Sequence, residues 1–120
     1  MNSALLPDPA ESMEVTCADV AAWVNRPVSE RPRLIDCREP EEWDFCRIEG
    51  AEHIPLGLFP QKAASLAASS PQGLVVYCHH GMRSLHATAF LRAHGLANGF
   101  SMAGGIDAWS LTIAPEVPRY

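Results

Sequence analysis

A chain of 120 residues, 48% hydrophobic and 19% charged, is long enough to bury the core of one domain without disulfides or metals to brace it. Its formal charge of −5 disfavours nucleic acid and anionic membrane surfaces as partners, and no run approaches the roughly 18 apolar residues of a membrane span. Cys17, Cys37, Cys46 and Cys78 form no CxxC pair, so reduced thiols are expected rather than a disulfide framework or a zinc site.

Residues 1–12, rich in proline and small polar side chains, read as a flexible N-terminal arm, and residues 13–120 as a single domain. The opening stretch lacks the basic region and long apolar segment of a signal peptide, so a cytoplasmic location is expected. Met13 to Val15 suits a short first strand. Thr16 is placed to cap a helix running to Val24, with Asp19 three residues on completing a capping box and Val20, Ala21, Trp23 and Val24 as its buried face. Pro27 and Pro32 bracket a connection to a second strand, Arg33 to Cys37. Pro40 then opens a helix reaching about Cys46, where its missing N–H costs nothing and Glu41 and Glu42 complement the positive helix end. Ala51 to Leu56 reads as a third strand, Pro60 to Ser69 as a helix, and Pro71, Gln72 and Gly73 as a turn into the fourth strand, Leu74 to Cys78. Ala87, Phe90, Leu91 and His94 recur at helical spacing up to Gly95, a left-handed cap. Phe100 to Met102 makes a fifth strand, and Gly104 and Gly105 turn the chain into a last short helix carrying Ala108 and Trp109. Strands alternating with helices predict an α/β fold: an open, mostly parallel five-stranded sheet with helices on both faces, binding ligands beyond the carboxyl ends of its strands. Cys78, Asp36 with Arg38, and the Gly104 turn all fall at that edge.

The chemistry concentrates where the fourth strand ends. Cys78 is followed by His79, His80, Gly81, Met82, Arg83 and Ser84 before the helical pattern begins. A short loop without proline turns several backbone N–H groups toward one centre, and the positive end of the next helix adds to them, so the ring suits an anion. A cysteine there is expected to ionise readily and to act as a nucleophile; the bland alternative is a buried small hydrophobe. Arg83 either contacts the anion or braces the loop through a carboxylate. Gly81 is expected to take a backbone geometry closed to other residues, and Ser84 to cap the helix or donate into the loop. A thiolate held by amides needs no base, and adjacent histidines do not easily turn both rings to one ion, so His79 and His80 read as rim residues rather than a base or metal ligands.

The segment resembles the active-site loop of the rhodanese sulfurtransferase family, a Cys followed by four residues, then Arg and Ser. Three further blocks are similar to family signatures in the same order: Leu34 to Trp43, Ile48 to Pro55 and Gly104 to Trp109. In order, the four blocks run from Leu34 to Trp109. Cys37 departs from the pattern, which has an aliphatic residue there, as do Cys46 and Arg47, where Gly and His are more common. The resemblance implies a thiosulfate sulfurtransferase without metal or organic cofactor, working in two steps through a persulfide on Cys78. A small sulfur donor such as thiosulfate and a nucleophilic acceptor, cyanide or a thiol, are the implied partners. By the same resemblance Arg38 attracts an anionic donor, or else forms a salt link that ties the second strand to the loop beside Asp36; Trp109 is expected to pack against the active-site loop. Cys37 is a buried spectator or a thiol that resolves the persulfide. The competing function is a sulfur-relay or regulatory module serving a sulfur-carrier protein. A phosphatase or arsenate reductase is disfavoured, since those related loops place five residues between Cys and Arg to cradle a tetrahedral oxyanion.

Overall fold

The computed structural model describes residues 6–120. Five strands lie in one all-parallel sheet: β1 (Glu14–Val15), β2 (Arg33–Asp36), β3 (Glu52–His53), β4 (Leu74–Tyr77) and β5 (Gly99–Met102), in the order β1-β5-β4-β2-β3. Five α-helices alternate with them: α1 (Cys17–Val24), α2 (Pro40–Phe45), α3 (Phe59–Ser69), α4 (Met82–Ala93) and α5 (Gly105–Thr112). Period-two alternation in the strands splits the core. Leu34, Val75, Tyr77, Phe100 and Met102 point to the face covered by Val20 and Trp23 of α1 and by Ile106 and Trp109 of α5. Ile35, Leu74, Val76 and Cys78 point to the other, against Phe59, Ala63 and Leu66 of α3 and Ala87 and Leu91 of α4.

The expected elements are present with shorter strands. Thr16 and Asp19 form the reciprocal capping box of α1, Pro40 opens α2, and Gly95 follows α4 at φ 106°. The third strand, expected over Ala51 to Leu56, is reduced to Glu52–His53. Ile54 and Leu56 still donate backbone N–H groups to the Asp36 and Cys37 carbonyls at 3.0 Å, but at Pro55 the chain turns into the 3-10 turn Leu56–Leu58 and leaves the sheet. The arm read over 1–12 lies outside the described residues for 1–5. Of the remainder, Leu6 packs against the α1/α5 face of the core, and the Pro9 and Ser12 carbonyls accept hydrogen bonds from Arg92 at 2.9 and 2.8 Å. Among the described residues no helix is long and apolar enough to cross a membrane.

The sheet order creates one switch point. From β2 the chain proceeds to β3 on one side, and from β4 to β5 on the other, so the carboxyl ends of adjacent β2 and β4 open a crevice between diverging loops. Cys37 and Cys78 are the residues that follow those two strands.

Candidate active site

Cys78 leaves β4 into a tight loop that returns as α4. Gly81, the residue before the helix, makes the turn at φ 109°, a left-handed conformation that a side chain would strain. Having no side chain, Gly81 cannot cap α4 itself, and the sulfur does so instead. Cys78 Sγ accepts the backbone N–H of Gly81 at 3.1 Å and that of Ser84, in the first turn of α4, at 3.4 Å. The Ser84 hydroxyl lies 3.5 Å from the sulfur and 2.7 Å from the Ser101 hydroxyl of β5. Its one proton also faces the Gly81 carbonyl at 3.2 Å, so the Ser84 hydroxyl sits between that carbonyl, the sulfur and Ser101.

Cys37 provides a further donor. Strands β2 and β4 run in register through Asp36 and Tyr77, the Cys37 N–H donates to the Tyr77 carbonyl at 3.0 Å, and both cysteines project to the α3/α4 face. The two thiols are neighbours in one buried pair, so their ionisation is coupled and one negative charge serves both. The amides of Gly81 and Ser84 reach only Cys78 and decide which sulfur carries it. The Cys37 hydrogen bond, followed by those of Ser84 and Gly81, outweighs burial and brings Cys78 down to about 4, while the bond to Cys78 and burial push Cys37 far above the usual thiol range. Cys78 should therefore show thiolate ultraviolet absorbance at neutral pH, lost only as pH falls through about 4. An ordinary buried cysteine would gain that absorbance only above about pH 8.5. The difference spectrum between the wild type and Cys78→Ser measures it.

The loop is fastened from three sides. Helix α5 holds its floor: Ile106 N–H donates to the Cys78 carbonyl at 2.8 Å and Asp107 N–H to that of His79 at 3.1 Å. Gly105, at φ 62°, permits this approach, because a Cβ there would meet the Cys78 carbonyl oxygen at 2.5 Å. Trp109 lies in the α1/α5 core, on the opposite side of the sheet from the Cys78 side chain, and supports the loop through that helix. From α2, Glu42 binds Arg83 through two hydrogen bonds, 2.7 and 2.9 Å. Arg83 holds the Glu42 carboxylate at about 2 and is itself raised. The third tie is Tyr120. Its hydroxyl donates to Glu42 at 2.6 Å and accepts from Arg38 at 2.7 Å, and its ring stacks on His79 at 3.9 Å.

Arg38 and Asp36 are brought to the same edge but are fully buried. The Arg38 guanidinium makes a bidentate pair with Asp36, down to 2.6 Å, and also donates to the Cys46 carbonyl at 2.6 Å and to Tyr120. Burial opposes its charge, but the bonds to Asp36 and Tyr120 more than offset this and raise it further. Its donors are committed, which makes Arg38 a brace between β2 and the segment after α2. His79 and His80 form the rim, stacked on each other at 3.8 Å, with His80 exposed and Met82 largely so. Burial lowers His79, leaving it neutral near pH 7. Among the described residues the cluster with metal-ligand chemistry is His79, His80 and Asp107, with ligand atoms within 4.8 Å of one another. Stacked rings direct their in-plane nitrogen lone pairs apart, however, and Asp107 already binds Arg119 at 2.8 Å.

Glu42, Tyr120 and Ser101 were not among the site residues legible from sequence. Glu42 carries a capping signal that explains it locally, since its carboxylate also accepts the Glu39 N–H at 3.0 Å, and nothing marks Arg83 as its partner 41 positions on. Ser101 and Tyr120 carry no local signal.

An open parallel sheet whose central strand delivers a cysteine into an amide-lined loop defines a cysteine-loop α/β domain. The Rhodanese-like domain model matches residues 20–112, and the chain belongs to that family. It is 30% identical over 111 residues to the probable adenylyltransferase/sulfurtransferase MoeZ of Mycobacterium tuberculosis, covering 92% of this chain but 28% of MoeZ. It is 28% identical over 92 residues to the thiosulfate sulfurtransferase GlpE of Actinobacillus succinogenes, covering 77% of this chain and 81% of GlpE. The human single-domain sulfurtransferase TSTD1 superposes with a TM-score of 0.71 at 25% identity, covering 84% of this chain and 97% of TSTD1. The chain is thus a rhodanese-like domain with sulfurtransferases among its relatives, and it spans under a third of the length of MoeZ.

Proposed function

We propose that the domain transfers sulfane sulfur through a persulfide on Cys78, with thiosulfate or a related species as donor. The observation that carries the reading is the Cys78 sulfur capping α4 through the Gly81 and Ser84 amides, an arrangement that favours its thiolate. Cys78 thiolate attacks the outer sulfur of thiosulfate; the S–S bond of the donor breaks, and sulfite leaves with its electron pair. The charge now sits on the outer sulfur of the persulfide, beside the same amide dipoles and in the field of the Arg83 guanidinium. An acceptor such as cyanide takes that sulfur, leaving as thiocyanate, and the Cys78 thiolate is restored. Cys78 is 1% exposed, which favours a slender terminal sulfur over a bulky ester. Arg83 is held by Glu42 and Arg38 by Asp36, so neither guanidinium is free to clamp a tetrahedral phosphate or arsenate.

A relay reading concerns the acceptor. MoeZ and the maize protein MOCS3-2 are named adenylyltransferases as well as sulfurtransferases, which supports a carrier protein as a physiological acceptor. Both readings pass through the same persulfide. Intact mass after brief exposure to thiosulfate tests it: a gain of one sulfur atom, removed by cyanide with release of thiocyanate, is expected. Hydrolysis of an aryl phosphate without any sulfur uptake would refute it.

A further inference from the structure

The buried thiol of Cys37 exchanges no sulfur in that two-step cycle, yet it lies beside the atom that does the chemistry. Strand register pairs Ile35 with Val76 and Asp36 with Tyr77, which makes Cys37 and Cys78 the next pair, on the same face. Neighbouring strands lie about 4.8 Å apart, inside the roughly 4.4–6.8 Å separation of Cα atoms that a disulfide spans. Both residues are shut from solvent, at 0% and 1% exposure, so no outside thiol competes easily for that contact. Cys17 and Cys46 pack on the opposite face of the sheet.

Resting on the persulfide reading, we propose that Cys37 resolves sulfur-loaded Cys78, forming an intramolecular disulfide and expelling the outer sulfur as hydrosulfide. The Cys37 sulfur bonds to Cys78 Sγ while the bond from Sγ to the outer sulfur breaks. The outer sulfur leaves with that electron pair and takes up the Cys37 proton. One negative charge enters on the persulfide and one departs on hydrosulfide; the sulfane sulfur is reduced and the two cysteines are oxidised. A small thiol reductant reopens the disulfide, two such thiols becoming one external disulfide. With an acceptor present the domain passes sulfur on; without one it releases sulfide and closes.

The charge distribution supports this order of events. While Cys78 is a thiolate, its charge holds the Cys37 proton in place. Once Cys78 is loaded, that charge moves one sulfur outward and Sγ becomes an uncharged electrophile beside the Cys37 thiol.

The test is anaerobic loading with thiosulfate in the absence of acceptor and reductant, at about pH 9 so that Cys78 is ionised with or without its neighbour. In the wild type we expect one equivalent of free sulfide, a protein two hydrogens lighter than the reduced chain, and a peptide joining Cys37 to Cys78 that a small thiol separates. Cys37→Val, which fits a strand and restores an aliphatic side chain, should keep the added sulfur and release sulfide only after a thiol is added. Cys37→Ser should do the same, and a variant that has lost its cooperative melt is replaced by the other. Sulfide release from either folded variant at the wild-type rate would overturn the proposal. So would a stable persulfide in the wild type with Cys37 still free for alkylation after denaturation. Absence of sulfur uptake in every form would instead remove the persulfide reading and this inference with it.

Discussion

Cys78→Ser is expected to lower sulfur transfer by at least about 10⁴-fold and to abolish uptake of sulfur from thiosulfate. A serine hydroxyl stays protonated at any pH the fold tolerates, and two amide dipoles that suffice for a thiol do not ionise an alcohol. Loss of activity alone would not separate chemistry from folding, since the sulfur also caps α4. Stability against pH does. The folded-state thiol is depressed to about 4, so between that value and the ordinary thiol range the native chain has released a proton that the unfolded chain retains. The wild type should therefore gain stability over Cys78→Ser as pH rises from about 4 and level off near 9. Below about 4 the sulfur is protonated in both states, this contribution is gone, and the two melts should converge. Above the ordinary thiol range Cys37, raised by the same pair, works in the opposite direction, and the wild-type advantage should shrink. A melting difference that ignores pH would mean that no thiolate is present.

The architecture was legible because each element carries its own local signal. The Thr16/Asp19 box, Pro40 at the start of α2 and Gly95 after α4 mark ends that the chain must satisfy within a few residues. The β3 strand was read too long because its apolar alternation continues through Ile54, while the chain turns at Pro55 into the 3-10 turn Leu56–Leu58. Around the site, local reasoning placed Cys78 at the end of a strand ahead of a helix, and Gly81 in a left-handed turn. What it missed depends on pairing across distance. For Cys37 the sequence left two readings, spectator or resolving thiol, and its place beside Cys78 follows from β2 lying next to β4, with β3 displaced to the edge, an order that nothing in either segment specifies. Arg83 with Glu42, and Tyr120 with Arg38 and His79, are meetings of the same kind. A charged residue near an anion site has two plausible uses, and the choice is made by where its carboxylate partner folds.

Asp36 and Arg38 make that choice measurable. Removing one member of a fully buried, hydrogen-bonded pair leaves the other charge uncompensated, so Asp36→Ala or Arg38→Met should each cost about 3–5 kcal/mol, a large share of the roughly 5–15 kcal/mol that holds a domain of this size together. The carboxylate also accepts the Arg38 backbone N–H at 2.9 Å, so Asp36→Ala should loosen the turn after β2 as well. Replacing both by apolar residues, Asp36→Ala with Arg38→Met, deletes the stranded charge along with its partner, and the double variant should lose markedly less than the two single losses added together. Denaturant melts of the four proteins close the cycle. The same double variant separates a brace from an anion-binding arginine. If Arg38 acts only through Asp36, the Cys46 carbonyl and Tyr120, then the folded double variant should retain its KM for thiosulfate to within a few-fold. An arginine that met the donor directly would give a KM raised by about tenfold or more even where the melt is restored, since one lost charge-assisted contact is worth about 1.5–3 kcal/mol.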